Sequence, residues 1–126
     1  MTDGEAPSSR FVALRARLEA MPGALASRLP RYPGVTLHKI MGKMFAILST
    51  RPAEGVILKC DPYRAQMLRD TYRGVGHRSH LDPRFWIAVD LDADVPADEI
   101  ENLAIASYDL VCAGLTRKQK AELAGL

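Results

Sequence analysis

Apolar residues Phe11, Leu14, Leu18 and Met21 recur three to four positions apart, which predicts a helix with one buried stripe. Ser8 or Ser9 is placed to cap it, Pro22-Gly23 stops it, and Arg10, Arg15 and Arg17 point elsewhere on its surface. Residues 24–34, with two further prolines, read as a connector. The pattern then changes. Residues 35–40, 44–50 and 56–60 have strand propensity, and the turns between them, Met41-Gly42-Lys43 and Arg51-Pro52-Ala53-Glu54-Gly55, are short and contain glycine. Together they predict three antiparallel strands joined as hairpins.

Asp61-Pro62 marks a helix start, because Asp accepts from the free first-turn amides and Pro suits the first helical position. Ala65, Leu68 and Tyr72 form its predicted buried stripe, with Gly74 as the residue that ends it. Residues 75–85 hold Gly, two His, two Arg, Pro and Asp without clear periodicity. A strand is predicted over 86–91, with Ile87, Val89 and Leu91 on one face. Pro96 opens a helix reaching Ala113; Asp98 and Glu99 occupy its first turn, and Ile100, Leu103, Ala104, Leu110 and Val111 supply its apolar side. Gly114 ends it, and Thr116 with Gln119 has capping-box spacing for a last short helix closed by Gly125. The expected fold is α+β: one antiparallel β-sheet with helices packed on one face, a single domain over 8–126 after a flexible lead at 1–7.

Composition adds bounds. A chain of 126 residues, 48% hydrophobic and 25% charged, is a single globular domain, and disordered or fibrous classes are excluded. It is too short for a doubly wound nucleotide-binding domain plus a substrate domain. The N-terminus is acidic and polar, unlike a secretory signal, and the longest apolar run, residues 44–48, is far below a membrane span. Cys60 and Cys112 form no CxxC pair and read as reduced, buried thiols. A cytoplasmic protein with no membrane association is expected.

Several stretches carry a family resemblance. Gly42-Lys43-Met44-Phe45-Ala46, Leu58-Lys59-Cys60-Asp61-Pro62 and Tyr72-Arg73-Gly74-Val75 are similar to the MmcQ/YjbR family. So are His80-Leu81, Trp86, Val89-Asp90-Leu91-Asp92, Val95-Pro96, Ser107-Tyr108-Asp109-Leu110-Val111 and Gly114-Leu115-Thr116. Their order and spacing, from about Phe11 to Leu123, carry the resemblance. It implies a CyaY-like (frataxin-like) fold, also called double-wing, and a DNA-binding role. Many members have Asn-Lys, one residue, then His-Trp, where this chain has Asp82-Pro83-Arg84-Phe85-Trp86. The lysine and the histidine are absent, and Arg84 restores one charge.

The net charge of +2 conceals segregation. Residues 10–84 hold 14 Lys/Arg against 5 Asp/Glu, whereas 85–116 hold 7 Asp/Glu and no Lys or Arg. A basic segment can neutralise phosphates and release counterions, so Lys39, Lys43, Arg51, Lys59, Arg78 and Arg84, together with Arg73, are candidate nucleic-acid contacts. Lys43 and Arg51 lie on turns that would project as wings. The competing reading is that these are solvated residues scattered over several faces.

His80 and Trp86 are candidates for a groove that binds a small ligand or a protein; Trp86 is alternatively a stacking face for an unpaired base, or core. His77 and His80 with Asp82 form only a weak metal pattern. Asp90, Asp92, Asp94, Asp98, Glu99 and Glu101 raise a frataxin-like iron site as a third alternative. His38 reads as an ordinary strand residue, Glu54 as isolated, and Tyr63, Tyr72 and Tyr108 as packing residues. No nucleophile elbow, P-loop, HExxH or dinucleotide fingerprint is present. The expectation is a monomer that binds DNA non-specifically and salt-sensitively, with no catalysis, cofactor or metal.

Overall fold

The computed structural model describes residues 6–77 and 80–126. Helix α1 (Ser9–Ala20) is followed by β1 (Ala24–Leu29), β2 (Tyr32–Ile40), β3 (Lys43–Ser49) and β4 (Gly55–Lys59). Then come α2 (Pro62–Thr71), β5 (Val75–Gly76), β6 (Trp86–Asp90), α3 (Ala97–Ala113) and α4 (Arg117–Ala124). The strands form one antiparallel six-stranded sheet in the order β1-β2-β3-β4-β6-β5. The α+β class with an antiparallel sheet is thus observed. No helix among the described residues is long and apolar enough to cross a membrane.

Local chemistry explains most boundaries. Ser8 caps α1 by accepting from Phe11 N, Asp61 caps α2 by accepting from Tyr63 N and Arg64 N, and Thr116 with Gln119 closes a capping box on α4. The β2–β3 hairpin turns on Met41 and Gly42, both at positive φ (50° and 80°), as a two-residue loop matched to strand twist requires.

Three expectations are corrected. Residues 24–34 are not a connector: Ala24–Leu29 is an edge strand, paired with β2 over Ala24↔Ile40 to Arg28↔Thr36. Backbone pairing on an edge needs no buried face, so the segment carries no apolar alternation to read. Within the aperiodic stretch 75–85, Val75 and Gly76 pair with Val89 and Ala88, a strand too short for any period. Gly74 does not end α2 by a left-handed turn; its lack of a side chain admits the 93–94 loop, since a Cβ there would lie 2.7 Å from Ala93 Cβ.

Directly opposed residues of antiparallel strands share a face. Ala46, Leu58 and Ile87 form one cross-strand row, and Leu48, Val56 and Val89 the next. Both rows are fully buried in one core with Phe11, Leu14 and Leu18 of α1, Ala65 and Leu68 of α2, and Ile100, Leu103, Ala104 and Val111 of α3. The helices therefore cover one face of the sheet. His38 also lies on this face and is fully buried, with neither ring nitrogen hydrogen-bonded to a described residue. Its nearest ring neighbour is Phe45, edge-on at 6.3 Å between centroids. Tyr63, in contrast, is 85% exposed and packs no core.

Candidate functional site

Among the described residues, no helix covers the other face of the sheet. Its central row runs Leu37, Ile47, Ile57, Ala88 across β2, β3, β4 and β6. All four are only half-buried, unlike the rows beneath. The pleat puts Lys39 on this face two residues from Leu37, and Lys59 two residues from Ile57. Lys59 is directly opposed to Trp86 across β4 and β6. Neither Lys39 nor Lys59 makes a side-chain hydrogen bond or ion pair with another described residue.

At one end this face dips into a concavity of about 370 Å³. Val35, Ile47, Ile57 and Ala88 form an apolar floor, and Arg51, Arg73 and His77 line its margin. Two carboxylates border it, and both are engaged. Asp90 accepts from the Asp92 amide at 3.0 Å. Glu54, isolated in sequence, accepts from both the amide and the hydroxyl of Ser8 and so holds the start of α1. Asp94 fixes the Arg73 segment by accepting from the backbone N–H groups of Arg73 (2.8 Å) and Gly74 (2.7 Å). Those donors hold its carboxyl below the usual carboxylate range.

The edge beside Trp86 is supported from α2. The Trp86 carbonyl lies beyond the two residues of β5. Arg69 reaches it from α2, donating Nη2 to Trp86 O at 2.8 Å and Nε to Gly76 O at 3.5 Å. Arg69, Glu54 and Asp94 act on partners 7 to 46 positions away, so no helical or strand period marks them.

The residues singled out in the sequence are thus divided. Lys39, Arg51 and Lys59 belong to the open face or its rim. Lys43 does not join them: its Nζ donates to Gly114 O at 3.1 Å, at the C-terminus of α3. Arg84 is paired with Asp82 through Nε and Nη2, the latter at 2.8 Å, and its guanidinium lies 5.3 Å from the Phe85 ring centroid. Arg84 thereby draws the Asp82 carboxyl down to about 2. The pair is exposed and adds little to stability. Arg78 lies outside the described residues. His80 is exposed in a turn, and none of the described cavities is lined by His80 or Trp86.

The acidic segment meets the helical layer instead. Glu101 pairs with Arg17 at 2.9 Å, Glu99 approaches Arg64 at 3.8 Å, and Asp98 accepts from the Glu99 amide. No three His, Cys, Asp or Glu side chains among the described residues are grouped as metal ligands.

Fold and site together define a small α+β domain with an open sheet face of mixed apolar and basic character. The chain belongs to the YjbR family, which it matches over residues 19–110. It is similar to the crystal structure of Deinococcus radiodurans protein DR2400, whose domain is designated DUF419. That likeness has a TM-score of 0.78 and 29% identity, and covers 88% of this chain and 85% of that one. A Pseudomonas syringae protein has the same fold, with a TM-score of 0.69 and 20% identity over 83% of this chain and 98% of that one. No curated protein matches the chain.

Proposed function

We propose that this YjbR-family domain is a nucleic-acid-binding protein, without catalysis, whose contact surface is the open face of the sheet. One observation carries the reading: Lys39 and Lys59 stand on that face, with Arg51 and Arg73 at its rim, around an apolar floor. Cations so arranged neutralise phosphates and release counterions, a contribution that is independent of sequence and sensitive to salt. Glu99 and Glu101 of α3 face Arg64 and Arg17 of the helical layer, whereas Asp109 of α3 borders a cavity that Lys59 also lines.

Fluorescence anisotropy with labelled oligonucleotides, single- and double-stranded, tests the reading. Two to four phosphate contacts predict an affinity that falls about 10- to 150-fold on duplex, and about 7- to 50-fold on single strands, between about 50 and 200 mM salt. Lys39→Glu and Lys59→Glu are each expected to weaken binding on every sequence. No binding to either form at low salt would sink the proposal.

A second reading, a small-ligand module, is favoured by the 370 Å³ concavity. That volume lies within the range of small-molecule clefts, about 300–1,000 Å³. Its location differs from the groove expected from sequence, gathering His77 rather than His80. An anion with an apolar body, such as an aryl sulfonate dye, is the suitable probe.

A further inference from the structure

Resting on the nucleic-acid reading, we infer that the open face takes single-stranded nucleic acid in preference to duplex. Six strands separated by about 4.8 Å span about 24 Å from β1 to β5. The major groove of B-DNA is about 12 Å wide and admits a helix or a two-stranded ribbon. The open face is therefore twice too broad to enter it. Against an intact duplex its central row, Leu37, Ile47, Ile57 and Ala88, would meet only phosphates and sugars. Apolar side chains under a charged backbone gain nothing and cost the phosphates their hydration.

An unpaired strand reverses this pattern. Its bases are free to turn onto the sheet, where an apolar floor and an aromatic ring suit their π-faces, while its phosphates stay outward for the cations. Trp86 supplies the ring, and Lys59, directly opposed to it, supplies a cation beside a stacked base. The concavity extends the platform, with Ile47, Ile57 and Ala88 below and Arg51 and Arg73 at the margin. At Gly76, on the edge of that concavity, a Cβ would meet no described atom within 4 Å. Arg69, bonded to the carbonyls of both Gly76 and Trp86, ties the concavity and the stacking ring to one rigid edge.

The test is a titration of the full chain with short oligothymidylate, oligouridylate and a mixed-sequence DNA duplex of equal length, in one low-salt buffer. Either single strand should bind at least tenfold tighter than the duplex and quench the fluorescence of Trp86, the only tryptophan. The two single-strand arms separate DNA from RNA, and tighter binding of either supports the inference. Trp86→Ala should weaken single-strand binding by about 5- to 150-fold and leave duplex binding unchanged. Gly76→Ala, whose Cβ would meet no described atom within 4 Å, narrows this margin and provides a second variant that does not remove a strand residue from the packing; it too should weaken single-strand binding. Duplex binding equal to or tighter than single-strand binding would overturn the inference while leaving the nucleic-acid reading intact. That outcome would point to the β1–β2 hairpin, a two-stranded ribbon of groove width that carries Arg28 and Arg31. Absence of binding in all three arms would overturn both.

Discussion

Ser107 on α3 donates its hydroxyl proton to the carbonyl of Phe45 on β3 at 2.6 Å. The same oxygen accepts from the backbone N–H of Lys59 on β4 at 2.8 Å. The β3–β4 ladder ends at Ala46↔Leu58, so the strands part just where Phe45 and Lys59 would have continued it. One fully buried hydroxyl thus closes the gap, and it fixes the backbone that carries a candidate phosphate contact.

Ser107→Ala leaves a buried carbonyl and a buried amide without partners. Each such group costs about 1–3 kcal/mol, so the variant should lose about 2–6 kcal/mol of unfolding free energy in urea denaturation. A loss below about 0.5 kcal/mol would mean that the strands simply close on each other.

His38 makes stability depend on pH. Burial lowers its pKa below 6.5, and the nearby Glu19 charge opposes this more weakly. The unfolded chain therefore takes up the proton first. Its contribution is fully present above pH 6.5 and is lost as pH falls from there through the lower folded-state value. Urea midpoints of the wild type should decline over that window. His38→Leu should flatten the decline, and an unchanged slope would refute the assignment.

The two cysteines should separate in a thiol titration. Cys60 is 4% exposed and burial pushes its thiol pKa up, both of which suppress the reactive thiolate; Cys112 is half-buried. With an aromatic disulfide reagent, the native protein should release one equivalent quickly and the second only on unfolding. Two equally fast equivalents would contradict the packing of Cys60.

Lys43→Met separates stability from binding. Its ammonium stands at the C-terminal end of α3, a helix with no basic residue in its last turn. Removing the charge should cost about 0.3–1 kcal/mol in thermal or urea unfolding. Oligonucleotide affinity should hold, whereas Lys59→Glu should do the reverse. A loss of affinity in Lys43→Met matching that of Lys59→Glu would return Lys43 to the contact surface.

Tyr108 should be the last tyrosine to ionise. Burial, then its neighbour Cys112, pushes its pKa up to about 12, and its hydroxyl donates to the Pro22 carbonyl. A spectrophotometric titration should show one phenol lagging the others, and Tyr108→Phe should remove that late step.

Elements whose causes are local can be read directly from the chain. Ser8, Asp61 and Thr116 cap the helices they were expected to cap, because a cap needs only an oxygen and the next three amides. The apolar stripes of α1 and, apart from the exposed Leu110, of α3 are legible from period, β6 from alternation, and β2, β3 and β4 from strand propensity and their glycine-containing turns; the family motifs are in the chain as well. Edge strand β1 and two-residue β5 were not legible, since pairing at an edge leaves no hydrophobic pattern.

Only the tertiary structure divided the basic residues. Lys39 and Lys59 stand on the open face, Lys43 was drawn to the end of α3 71 positions away, and Arg84 was paired with Asp82. The charge of a side chain is written in the sequence, but its availability depends on what the fold brings within about 3 Å of it, and those partners come from distant strands and helices.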